Sequence, residues 1–237
     1  MTKINLPENL YQAEMLERPN RFVINCYCRV TESIRKIYLA DPGRLPLIMQ
    51  PGREIYYQPD FNNKERSTEG SAVLARMGDG TYVSLNSHLA NRVVEAGIKA
   101  GHFKEIYDRE ILKREYTRGS SRFDFLLEGR QDNYLLEVKS VTLVEEGAAC
   151  FPDAVTARGK RHVEELIDWQ EETGNPAGVL FLITRNDALS FRPCREIDPE
   201  FAAALEEARS RGIEIMVYGC EVERKFIRPA DSVEQVW

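Results

Sequence analysis

The chain has 237 residues, 43% of them hydrophobic, and carries a formal net charge of −6 from 32 Lys+Arg against 38 Asp+Glu. That length supports one large or two small domains with sizeable cores, and the acidic balance argues against a protein that coats nucleic acid through its overall field. No apolar run approaches the ~20 residues of a membrane-spanning helix, and the opening MTKINLPENL lacks the basic and apolar regions of a secretory signal, so the expectation is a cytoplasmic protein without a membrane partner.

Charge is unevenly spread. Residues 1–86 hold 11 Lys+Arg against 10 Asp+Glu, and residues 87–237 hold 21 against 28, so a nucleic-acid surface is sought first in the near-neutral part. The cysteines at 26, 28, 150, 194 and 220 lack the paired C-x-x-C spacing of a zinc site and read as reduced thiols. Cys26 and Cys28 share one face of a strand, where packing is the expected role.

From Arg21 to Leu85 short apolar runs alternate with turn residues: RFVINCYCRV, RKIYLA, REIYYQ, GSAVLARM and TYVSLN, broken by DPG, QPG and GDG. Five short strands without a long helical pattern predict a small barrel of the OB type. OB surfaces bind nucleic acid by combining basic grooves with stacking aromatics, and Arg21, Tyr27, Arg29, Arg44, Arg53, Tyr56 and Tyr57 are available here. Each tyrosine taken singly is better explained as core. Asp41-Pro42-Gly43-Arg44 predicts a turn with proline at its second position and a positive φ at the glycine. Arg44 follows that glycine, where backbone approaches a ligand closely, or is an ordinary surface arginine.

NSHLANRVVEAGIKAG (Asn86 to Gly101) predicts a helix, with Leu89, Val93 and Ile98 inward and Asn91, Arg92 and Glu95 sharing the polar side. His88 and His102 have no ligand partner at telling spacing. A charged strand follows at Glu110–Tyr116, and then RFDFLLEGRQDNYLLEVKS (Arg122 to Ser140) predicts a β-hairpin about Gly129. Alternation puts Glu137 and Lys139 on one face and Leu136 and Val138 on the other. A loop of Gly129–Asp132 closed by Glu128 and Asn133 places Asp124 opposite Glu137. Like charges across a strand pair are destabilising, so a cation is required. Either Lys139 and Arg122 form a surface ladder of ion pairs with the two carboxylates, or hard oxygen ligands hold a divalent metal such as Mg²⁺ or Mn²⁺. Beyond Ser140, Val163, Leu166, Ile167 and Gln170 mark a helix ending at Gly174, with Arg158 and His162 one turn apart at its start as a candidate anion site. VLFLIT (Val179 to Thr184) predicts a buried strand, Asp198–Arg211 a helix and Ile213–Tyr218 a final strand, completing an αβββαβ order followed by αβ.

An Asp, a gap and Glu-x-Lys on consecutive strands resembles the PD-(D/E)XK nuclease superfamily. The words SSRFDFLLEG, LLEVKSVTLVEEG and FPDAVTARGKRHVEEL, with ADPGRL, PGREI and NSHLANRVVEAGI, resemble the sugar fermentation stimulation protein family, SfsA, over most of the chain. That resemblance implies non-specific DNA binding, an OB-like domain at residues 1–85 and a PD-(D/E)XK nuclease-like domain at residues 86–237. It implies Asp124 and Glu137 as metal ligands and Asp124, Glu137, Lys139 and Glu95 as catalytic residues. It makes Arg44 a phosphate contact, and Arg53 and Arg29 of the barrel with Arg158 and His162 of the helix start stand beside it as candidate nucleic-acid contacts read from the residues themselves. The expected activity is metal-dependent phosphodiester hydrolysis, and the alternative is a DNA-binding regulator of sugar metabolism that keeps the fold without chemistry. Single- or double-stranded DNA as partner and self-association into a homo-oligomer are left open.

Overall fold

The computed structural model describes residues 2–61 and 67–237. After a two-residue strand, β1 (Ile4–Asn5), a barrel is built from β2 (Tyr11–Asn20), β3 (Val23–Cys28), β4 (Ser33–Tyr38), β5 (Glu54–Pro59) and β6 (Gly70–Arg76), with β7 (Tyr82–Ser84) added to β6. The antiparallel order is β4-β3-β2-β5-β6, and a parallel contact of Tyr38 with Ser71 closes it into five strands. Ile24, Cys26 and Cys28 alternate inward to meet Ile37, Ile55 and Tyr57. All five cysteines are free and buried. Tyr56 and Tyr57 are core, whereas Tyr27 is 41% exposed. The barrel contains a strand beyond the predicted runs: β2, sequence YQAEMLERPN, buries only Ala13 and Met15 and so shows no apolar run.

The second domain runs α1 (Ser87–Lys99), β8 (Glu110–Arg118), β9 (Ser121–Glu128), β10 (Asn133–Val141), β11 (Leu143–Glu145), β12 (Ala148–Phe151), α2 (Ala157–Thr173), β13 (Ala177–Ile183), β14 (Ser190–Pro193), α3 (Pro199–Ser210), β15 (Glu214–Glu223), β16 (Phe226–Ser232) and β17 (Glu234–Gln235). Its main sheet has the order β1-β16-β15-β13-β10-β9-β8, and β11-β12-β14-β17 form a smaller one. β13 lies between two parallel neighbours and every residue of it is buried, as a strand covered on both faces requires. The predicted αβββαβ order is therefore present, with β11 and β12 inserted between β10 and α2. Ile213–Tyr218 is not the last strand, because the chain turns back through β16 and β17. β1 is the exception to a division at residue 85, since Ile4 pairs with Ile227 in the carboxy-terminal sheet.

Helix ends follow capping chemistry. Asn86, Thr156 and Asp198 cap α1, α2 and α3 through side-chain oxygens, and Gly174 ends α2 at φ 68°. One core packs Val93 and Val94 of α1 on Leu136, Val138 and Leu180. The other packs Val163 and Leu166 of α2 on Leu135, Val141 and Phe181. β10 thus lies between α1 and α2, with Glu137 and Lys139 among apolar neighbours on the α2 side. No helix among the described residues is long and apolar enough to cross a membrane.

Candidate active site

β9 and β10 pair from Glu128↔Asn133 to Phe125↔Leu136 and then separate. This is the register expected from a four-residue loop, and one step further along it lie Asp124 and Glu137. Where the ladder ends, Asp124 Oδ2 accepts the Val138 N–H at 2.8 Å in place of a strand carbonyl. Oδ1 accepts from Asn91 Nδ2 of α1 at 2.6 Å. Glu137 is only 4% exposed, and its Oε1 meets both Lys139 Nζ and His162 Nδ1 at 2.6 Å. Its Oε2 is buried without a hydrogen-bond partner. An orphaned carboxylate oxygen at such depth is costly and uncommon.

Electrostatics separate the two acids. Burial and then the charge of Glu137 push Asp124 up to about 6, against the opposing pull of the Val138 N–H, Asn91 and Lys139. Burial acts on Glu137 in the same direction, but Lys139 and His162 together outweigh it and hold that carboxyl below its ordinary value. The pair therefore sets one carboxyl held below its ordinary range beside one pushed above it.

Asp124, Glu137, Lys139, Asn91, His88 and Arg158 line one cleft of about 300 Å³. Two carboxylates, one with a free oxygen, fit a hard divalent cation that retains several waters, as Mg²⁺ does. No cluster of three or more Asp, Glu, His or Cys suited to a metal occurs among the described residues, so a cation held by these two carboxylates would take its other ligands from water or backbone oxygen. The predicted ladder of surface ion pairs does not form: Arg122 pairs with Glu115, and Lys139 meets Glu137 in a buried setting.

The family description "Sugar fermentation stimulation protein RE domain" matches residues 88–226, and "SfsA N-terminal OB domain" matches residues 16–85. The chain belongs to the sugar fermentation stimulation protein family. A "Sugar fermentation stimulation protein homolog" of Moorella thermoacetica is 42% identical over 223 residues, covering 93% of this chain and 94% of the relative. A homolog of the same description from Clostridium tetani is 38% identical over 232 residues, covering 98% and 99%. Among solved structures, the chain is similar to "Pyrococcus Furiosus SfsA in complex with Ca2+", with a TM-score of 0.89, 29% identity and 100% coverage of both chains.

Several expected residues of this SfsA chain lie elsewhere. Glu95 is one helical turn beyond Asn91, and that step carries it to Lys99 Nζ at 2.6 Å and Arg114 Nη1 at 2.9 Å. Asn91, not Glu95, is the α1 residue at the carboxylates. His162 is not a surface anion contact, since it is 1% exposed with its ring turned to Glu137. Arg158 is exposed and its Nε reaches His162 Nε2 at 3.3 Å. Arg53 donates to the carbonyls of Ile48 and Leu47, each at 3.1 Å, and so braces its own loop. Arg29 is exposed beside Glu14.

Arg44 is exposed on the Asp41–Leu45 loop, which docks on the segment before α2 through Leu45 N–H to Asp153 Oδ2 at 2.9 Å. Gly43 does not have positive φ; Leu45 does, at 52°. Glycine at 43 meets a different need, because a Cβ there would stand 2.5 Å from Asp153 Oδ2. The helix periodicity already placed Asn91 beside Glu95, but nothing in spacing distinguishes one turn of a polar stripe from the next.

Proposed function

We propose that this protein is a divalent-cation-dependent nuclease acting on DNA. The observation that carries the reading is Glu137 Oε2, buried and unpartnered on a residue that lines the cleft with Asp124 and Lys139. Asp124 and Glu137 hold Mg²⁺ or Mn²⁺ and Asn91 fixes the Asp124 carboxylate. When bound there, such a cation would supply Lewis-acid chemistry at the phosphate. Lys139 positions the attacking water or stabilises charge developing on the phosphate. Arg44 and Arg158 contact the backbone beside the cleft, with Arg29 on the barrel. The calcium-bound relative from Pyrococcus furiosus supports a hard-cation site, since Ca²⁺ and Mg²⁺ share a demand for oxygen ligands.

A DNA-binding protein without chemistry is favoured by a different observation. Lys139 already neutralises Glu137 at 2.6 Å with both side chains largely buried, so this carboxylate has a counter-charge without a metal. Labelled single- and double-stranded DNA incubated with Mg²⁺ or Mn²⁺ separates the readings. The nuclease reading expects cation-dependent cutting by the wild type and none by Asp124→Ala. Retained DNA binding with no cutting under any of these conditions would establish the binder.

A further inference from the structure

We infer that His162 is a positioning residue that selects which oxygen of Glu137 faces the cation, and that Arg158 fixes His162 for this role while contacting the nucleic-acid backbone. The inference rests on the metal-dependent reading and adds two residues that reach the reaction through Glu137.

His162 is fully engaged. Its Nδ1 lies 2.6 Å from Glu137 Oε1, its Nε2 lies 3.3 Å from Arg158 Nε, and its ring tilts against Phe123 with centroids 5.3 Å apart. Arginine can only donate, so Nε2 is the acceptor. The network therefore assigns the ring proton to Nδ1, which donates to Glu137.

The terminal torsion of a glutamate is broad and roughly two-fold, so the two oxygens of Glu137 are interchangeable unless something distinguishes them. His162 and Lys139 both bind Oε1, and Oε2 is left over. A lysine on a flexible stem can follow either oxygen, whereas an imidazole packed on Phe123 and held by Arg158 cannot. Partners that orient metal ligands in this way are each worth roughly 10–100-fold in metal affinity.

Arg158 stands where the two events meet. It lines the cleft, it is exposed in the first turn of α2, and it has five donors, of which the one on Nε goes to His162. A phosphodiester bound by its outer nitrogens presses the same guanidinium on the ring that orients Glu137. Backbone binding and cation-ligand geometry are thereby linked through one histidine.

The test uses the full chain without nucleic acid, with Mn²⁺ binding read by calorimetry and the His162 tautomer read from its nitrogen resonances. His162→Phe keeps the ring and removes the donor, and should weaken Mn²⁺ binding by roughly 10–100-fold. His162→Asn returns an N–H near the position of Nδ1 and should recover most of the loss. The wild-type spectrum should show the Nδ1–H form. An Nε2–H form, a folded His162→Phe that binds within twofold of wild type, or a His162→Asn as weak as His162→Phe would each overturn the inference. If His162→Phe does not fold, the tautomer and the His162→Asn isotherm decide. Failure of the wild type to bind any Mn²⁺ that Asp124→Asn abolishes would instead remove the metal reading beneath it.

Discussion

Two pairs of carboxylates lie near the segment before α2: Asp124 with Glu137 where β9 and β10 part, and Asp41 with Asp153 where the barrel meets the second domain. Burial pushes both Asp124 and Asp41 up to about 6, with a neighbouring carboxylate adding to the shift in each case. Their oxygens are used differently. Asp41 Oδ1 accepts the Gly43 N–H at 2.8 Å and Asp153 Oδ2 accepts the Leu45 N–H at 2.9 Å. Arg18 braces the same loop, donating to the carbonyls of Gly43 at 2.7 Å and Arg44 at 2.5 Å. At the junction, acid is consumed in shaping a loop. In the cleft, Glu137 Oε2 has nothing to accept, and that leftover capacity, rather than clustered acid, distinguishes this pair from the one at the junction.

Replacing the two kinds of acid should therefore have unequal effects on Mn²⁺ binding. Glu137→Gln should weaken it by more than the ~100-fold upper range seen for outer partners of metal ligands, while Asp153→Asn should leave it within about twofold. Equal losses in calorimetry would erase the distinction between the pairs. Lys139→Ala sharpens it from the other side. Loss of a cation aimed at developing charge should lower DNA cutting by about 10²–10³-fold, yet Mn²⁺ should still bind because both carboxylates remain. If cutting and Mn²⁺ binding fell together, Lys139 would be holding the site's shape and not serving the reaction.

Much of this geometry was legible beforehand, for physical reasons. Period-2 alternation and a four-residue loop bring Asp124 and Glu137 together because the hairpin register follows from the loop. The apolar 3.6-residue pattern locates α1 and α2, and VLFLIT can only be a covered strand. The remainder depends on the third dimension. β2 hides among polar residues because one of its faces is solvated. His162 reads as a surface cation because spacing puts it near a helix start but cannot show Phe123 and Glu137 packed against it. Gly43 resembles a turn glycine, and its actual constraint, Asp153, is 110 positions away in sequence.

The junction pair makes its own prediction about pH. Asp41 has a folded pKa of about 6 against 3.8 when free, so the folded protein holds this proton more tightly. Stability contributed by that proton is full below pH ~4, declines as pH rises through ~4 to 6, and is absent above. Asp41→Asn keeps an acceptor for the Gly43 N–H and cannot ionise. Relative to wild type it should gain on the order of 1–3 kcal/mol between pH 4 and 7, as read by urea unfolding at each pH. A difference between the two proteins that does not change with pH would show that Asp41 is not the titrating group.

The smallest effect concerns two arginines of one loop system that sequence alone treats alike. Arg44 is exposed on the loop docked at Asp153, beside the segment leading to the cleft, whereas the Arg53 guanidinium is committed to the carbonyls of Ile48 and Leu47. A phosphate contact releases counterions, so each one lost should flatten the dependence of log affinity on log salt by about 0.9 on duplex DNA. Arg44→Ala should show that flattening with unchanged unfolding. Arg53→Ala should keep the slope and lose about 1 kcal/mol of stability with its hydrogen bonds. The opposite assignment, with Arg53 setting the salt slope and Arg44 silent, would move the backbone path off the loop at Asp153 and onto the barrel alone. A nuclease acting at the cleft would then need another cation to meet its strand, and Arg158 at the start of α2 is the exposed arginine that already lines it.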